Sequence, residues 1–141
     1  MPERTARTPH RAALTVLAFD FGLKRIGVAV GEPELRTVHP LPAVAGFAQI
    51  ERLVDEWRPA RFVVGLPVRE AGEHPLARRV ERFARQLEGR FRVPVARVDE
   101  RFTSTEAESR LKGAGTRSPI KKHVDSVAAQ LILEQYFDET S

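Results

Sequence analysis

The chain has no cysteine, and only one residue each of methionine, tryptophan and tryptophan's smaller relative tyrosine. Without thiols it forms no disulfide, offers no thiolate to zinc and has no cysteine nucleophile, as suits a reducing compartment. No apolar run reaches the roughly 18 residues that a membrane-spanning helix needs. The opening residues, MPERTARTPHRA, lack the apolar core of a secretory signal. These absences predict a soluble, cytoplasmic protein with no membrane partner. The GxxxxGK[ST] phosphate loop is also missing. The four histidines, His10, His39, His74 and His123, are scattered and make no HExxH pair. Lysine is scarce as well: only Lys24, Lys112, Lys121 and Lys122.

What is abundant is arginine. Of 23 basic residues 19 are arginine, against 19 acids, and the net charge is +4. The planar guanidinium fork suits phosphate, so a basic arginine-rich domain is a candidate for nucleic acid. Its 141 residues suffice for one domain. Residues 1–12 read as a flexible basic arm and 13–141 as a single folded domain.

Hydrophobic patterning gives the order βββαβαβαα. Residues 14–21 (LTVLAFDF) are apolar on both faces, as in a central buried strand. Residues 25–31 (RIGVAVG) form a second strand, with Gly27, Ala29 and Gly31 on a small-residue face that lets another element pack closely. Residues 35–44 form a third strand, which Pro40 and Pro42 consign to an edge. Helices are expected from Phe47 to Trp57, over 73–89, over 103–112, and from Ser118-Pro119 to about Asp138. Strands are expected over 61–66 and 93–98. This is an α/β fold: a mixed five-stranded sheet, three antiparallel strands and then alternating helices and strands, flanked by helices.

Four acids sit in apolar surroundings. Asp20 closes the first strand, Asp99 and Glu100 follow the fifth, and Asp125 shares a helix face with Ala128, Ala129, Ile132 and Tyr136. Each alone also fits a cap, a salt bridge or the edge of the core. Together, at one end of a sheet, they would repel one another unless cations neutralise them. Oxygen ligands select hard ions, Mg²⁺ or Mn²⁺, and two such ions support phosphodiester hydrolysis. Bases flank each acid and could hold a phosphate backbone: Lys24 and Arg25 after Asp20, Arg101 after Glu100, Lys121 and Lys122 before Asp125. Strand alternation puts Asp99 on the side of Arg97, a candidate salt-bridge partner, and Glu100 on the side of Ala96 and Val98.

Four segments then resemble one family. VLAFDFGLKRIGVAVGE (16–32), VVGLP (63–67), VDERFTSTEAE (98–108) and KKHVDSVAAQLILEQYF (121–137) resemble, in order, the motifs of the YqgF/RuvX family. The resemblance implies an RNase H-like fold and a metal-dependent nuclease. Such a nuclease either resolves Holliday junctions or processes the 5′ end of the 16S ribosomal RNA precursor (pre-16S rRNA). Carried over by position, the catalytic, metal-binding acids are Asp20, Glu100 and Asp125. One departure is the stretch Val68-Arg69-Glu70-Ala71-Gly72, where the family often has Asn and Asp-Gly. Branched DNA and pre-rRNA both remain open as partners. A resolvase would work most simply as a symmetric homodimer, since a four-way junction has two-fold symmetry. Two other readings stand beside the nuclease: a non-catalytic RNA-binding ribosome-assembly factor, and a nucleotide-binding module built on the Asp20-Phe21-Gly22 turn.

Overall fold

The computed structural model describes residues 14–67, 75–100 and 126–140. Its centre is β1 (Val16–Phe21), whose first four residues are buried on both faces. Strand β2 (Ile26–Glu32) returns antiparallel to it through a short turn, and β3 (Thr37–Val44) pairs antiparallel to β2. Helix α1 (Phe47–Trp57) then carries the chain to β4 (Arg61–Leu66), and α2 (Ala77–Phe91) leads to β5 (Val95–Asp99). Both late strands run parallel to β1, giving the sheet order β3-β2-β1-β4-β5. Helix α3 (Val127–Thr140) follows. The mixed five-stranded α/β sheet expected from the sequence is therefore present, with β3 at one edge, where its prolines cost few ladder bonds.

Period-two alternation divides the core between the two faces. Leu17 and Phe19 of β1, Val28 and Val30 of β2, and Phe62 and Val64 of β4 pack under α1 and α2, with Ile50, Val80, Phe83 and Leu87. Phe83 is the hub, its ring 5.7 Å from Phe19, 5.1 Å from Phe21 and 5.7 Å from Phe47. On the opposite face Val16, Ala18, Ala29, Val63 and Val98 meet Ala129, Ile132, Leu133 and Phe137 of α3. The small-residue face of β2 is thus filled by α3. A Cβ on Gly31 would lie 3.0 Å from Leu133 and 3.2 Å from Phe137.

Several element ends differ from the sequence reading. Helix α2 begins at Ala77 and runs to Phe91, because the amphipathic pattern of Val80, Phe83, Ala84 and Leu87 continues to Phe91, which packs on the same core. It closes on Arg92 in the left-handed conformation (φ 56°), whose N–H bonds the Glu88 carbonyl. Helix α1 closes in the same way on Arg58, just before Pro59. Strand β5 is shifted to Val95–Asp99, set by its pairing with β4. The expected helix over 103–112, the start of the last helix, and the arm at 1–12 lie outside the described residues.

One polar group ties α3 to the sheet. The β2–β3 ladder slips between the pairs Ile26–Val44 and Val28–Leu41, beside Pro42. The fully buried Ser126 hydroxyl bridges the gap: it accepts the Val28 N–H at 2.9 Å and donates to the Leu41 carbonyl at 2.5 Å. Ser126→Ala would leave a backbone donor and acceptor unpaired in the core. It should lower stability by about 2–3 kcal/mol in urea unfolding; a change below about 0.5 kcal/mol would show that the two strands satisfy those groups without it.

Candidate functional site

Asp20 is the last inward-facing residue of β1 on the α3 side, two residues beyond Ala18. Its Cα partner on β2 is Gly27. On the other flank the β1–β4 register ends at Phe19–Val64, so Gly65 is next in line beside Asp20. The acid therefore stands between two glycines. Immediately after it, the turn at 22–25 is tight enough that a Cβ on Gly22 would lie 2.6 Å from the Arg25 carbonyl. That turn presents Lys24 and Arg25 to solvent.

Glu100 follows β5, and its N–H bonds the Leu66 carbonyl at 2.9 Å, extending the parallel ladder. Val98 and Ala96 belong to the α3 core, whereas Val95 packs on the other face. The expected alternation therefore holds, and Glu100 turns toward α3. Its side chain leans over β4: a Cβ on Gly65 would sit 3.2 Å from Glu100 Cγ and 2.8 Å from Ile132 Cγ1. Only glycine at 65 leaves room for both α3 and Glu100. Asp20 and Glu100 thus approach the same glycine from β1 and from β5.

Burial raises the Glu100 carboxyl above the ordinary carboxylate range, because desolvation disfavours its charged form. Among the described residues no hydrogen bond or ion pair reaches its carboxyl oxygens, so its chemistry fits a hard cation. No group of three His, Asp or Glu residues gathers as a metal site among the described residues. The third expected acid, Asp125, lies outside them, as do Arg101, Lys121 and Lys122.

Asp99 departs from the expectation in one respect. Arg97 does not serve it: the guanidinium forks onto Glu81 of α2 with two 2.8 Å bonds. Glu81 lies across on the α2 side, where a two-pronged carboxylate meets the fork squarely. Asp99 itself is exposed. Sequence reasoning assigned no role to Gly65 or Ser126; a glycine inside an apolar strand and a serine opening an apolar helix were the signals available for them.

An open mixed sheet of this order, flanked by helices, is an RNase H-like fold. The Fowlpox virus resolvase, solved with Holliday junction DNA, matches with a TM-score of 0.55 at 10% identity, over 89% of this chain and 98% of its own. RuvC of T. thermophilus, solved with a Holliday junction substrate, matches with a TM-score of 0.50 at 14% identity, over 89% and 94%. At such identities these two likenesses show the fold alone.

Sequence narrows the class to a family. The chain belongs to the RuvX family, described as Holliday junction resolvase, whose model matches residues 14–139. A relative from Nitrosomonas europaea bearing the name "Putative pre-16S rRNA nuclease" is 47% identical over 98% of this chain and 96% of its own length. One of the same name from Nitrosospira multiformis is 49% identical over 95% and 93%.

The raised Glu100 carboxyl has a pH signature. A carboxyl whose folded pKa lies above its unfolded value costs stability once it ionises, and nothing when both states are protonated. Without added metal, Glu100→Gln should raise the Tm at neutral pH. The gain should begin to close as the pH falls through the raised folded pKa and be gone once it is below the usual carboxylate value of 4.5. A gap that is absent at neutral pH would mean that Glu100 has a compensating partner.

Proposed function

We propose that the protein is a divalent-metal-dependent endonuclease that cuts phosphodiester bonds in structured nucleic acid, with the precursor of 16S ribosomal RNA as its substrate. The observation that carries this reading is the pair of acids on one face: Asp20 between Gly27 and Gly65, and a desolvated Glu100 leaning over that same Gly65. RNA is favoured over junction DNA because the relatives at 47% and 49% identity bear the rRNA name, whereas the junction-bound structures share only fold.

In this reading Asp20, Glu100 and Asp125 are the catalytic carboxylates and hold one or two Mg²⁺ or Mn²⁺ ions. Ser126 supports the third assignment. Its hydroxyl is fixed to Val28, next to Gly27, the Cα partner of Asp20, and Asp125 directly precedes it in the chain. Bound cations would supply the charge that activates water and stabilises the departing oxygen. The residues themselves fix geometry: Gly65 lets Glu100 reach inward, and α3 covers one side so that the carboxylates work partly out of water. Lys24 and Arg25, at the same end of the sheet, contact phosphates and set position rather than sequence. Arg101, Lys121 and Lys122 are assigned the same role from their places beside Glu100 and Asp125.

The test is single-turnover cleavage of pre-16S rRNA and of a four-way DNA junction by one preparation, with Mn²⁺, Mg²⁺ or EDTA. Cleavage of the RNA with metal and none in EDTA is expected. Asp20→Asn, Glu100→Gln and Asp125→Asn should each slow it by about 10³-fold or more, as loss of a metal-holding or charge-stabilising group does. Asp99→Asn, on the other face, should cost far less. Full activity in Glu100→Gln alongside a dead Asp99→Asn would invert the assignment. Binding of the RNA without any cleavage would favour an assembly factor.

A further inference from the structure

A cleft of about 650 Å³ opens between α2 and the C-terminal ends of β4 and β5, on the opposite face of the sheet from Glu100. Leu66 and Asp99 form its floor, and Arg78, Arg82 and Arg85 of α2 form its wall. We propose that this cleft holds the phosphodiester backbone of the nucleic-acid strand on which the site acts, with Arg78, Arg82 and Arg85 as its phosphate contacts. The inference rests on the nuclease reading and deepens it, by giving the substrate a path beyond the carboxylates.

Charge comes first. Glu81 also lines the cleft, but its carboxylate is committed to Arg97 by two 2.8 Å bonds. That bond, above all, holds its carboxyl below the usual range. The charge of Arg85, on the same helix, acts on Glu81 as a lesser cause, so Glu81 offsets only part of the arginine wall. Arg78, Arg82 and Arg85 are exposed, and none forms an ion pair among the described residues. Asp99 is the one other acid among the described residues of the lining. Among the described residues, three arginines against Glu81 and Asp99 leave the lining with a net positive charge on a concave wall, where a solvated helix face would be convex.

Spacing comes next. The three arginines recur at i, i+4 and i+7, about 10 Å along the helix. At about 3.4 Å of axial rise per nucleotide, that spans about three nucleotide steps of one strand. Guanidinium forks grip phosphate oxygens two at a time. Position then links the cleft to the site. Asp99 and Glu100 are consecutive residues turned to opposite faces, and β5 is an edge strand. A strand lying across the end of β5 passes from Glu100 to the arginine wall without having to cross the sheet.

The experiment measures nucleic-acid affinity against salt for the full chain carrying Glu100→Gln, so that binding is read without cutting. The probes are a structured RNA with a single-stranded flank and the DNA of the same sequence. In that background the triple variant R78Q/R82Q/R85Q should flatten the log–log salt slope by about 2–3. The affinity lost between about 50 and 200 mM salt should then shrink by about 15- to 60-fold. The charge-keeping variant R78K/R82K/R85K should restore most of the slope. The control R52Q/R61Q, which removes exposed charge away from the cleft, should leave it nearly unchanged. An unaltered slope in the Gln triple variant, or an equal change in the control, would overturn the cleft. A slope change confined to RNA would overturn phosphate contact as its basis. Failure of the nuclease reading is a separate result, namely full cleavage by Glu100→Gln with Arg78, Arg82 and Arg85 intact.

Discussion

Close approach of α3 to the sheet is the constraint on which the rest of the structure depends. Helix and sheet meet over Ala18, Ala29, Gly31 and Gly65, and the bulk comes from the helix side as Ile132, Leu133 and Phe137. Small residues at these four positions let the large ones of the helix interdigitate with the sheet at interior packing density. Bulk on the strands would push the helix outward and withdraw the Ser126 hydroxyl from Val28 and Leu41. It would also deny Glu100 the space over β4. The same row of small residues that makes the core thus shapes the floor of the site.

That packing creates an electrostatic problem. It draws a glutamate into partial burial at the end of an edge strand, close to the end of β1 and its aspartate. Desolvation lifts the Glu100 carboxyl, and no cationic side chain answers it among the described residues. A purely structural acid in this place would ordinarily be paired, as Glu81 is with Arg97. An acid left desolvated at a sheet end, on the face that also carries Asp20, matches a place where a divalent cation completes the charge balance. The opposite face tells the complementary story: there the acid is paired and arginines are left over.

Much of this was legible in the sequence, and for identifiable reasons. The unbroken apolar run of β1 marked a central strand, and its single charge marked Asp20. Strict alternation in β5 separates Asp99 from Glu100, because Val98 and Ala96 fix which side is core. Two prolines marked β3 as an edge. What pattern could not show was pairing across distance. Arg97 has Asp99 two residues away on its own side, yet it bonds Glu81, sixteen residues back, because α2 crosses that face. Ser126 read as one polar residue before an apolar helix; its function depends on a ladder slip more than eighty residues earlier. The ends of α2 were misplaced because amphipathic period fixes a helix's face more firmly than its limits. Whether Asp125 joins Asp20 and Glu100 is likewise a matter of distance in space, which spacing in the chain does not determine.

Calorimetric titration of the full chain with Mn²⁺ tests the carboxylate cluster most directly. Wild-type protein should bind one or two ions, and Asp20→Asn, Glu100→Gln and Asp125→Asn should each abolish a site or weaken it by about tenfold or more, while Asp99→Asn binds as wild type does. Unchanged Mn²⁺ stoichiometry and affinity in any of the first three would contradict that residue's place in the cluster, and no Mn²⁺ binding by the wild type would contradict the cluster itself.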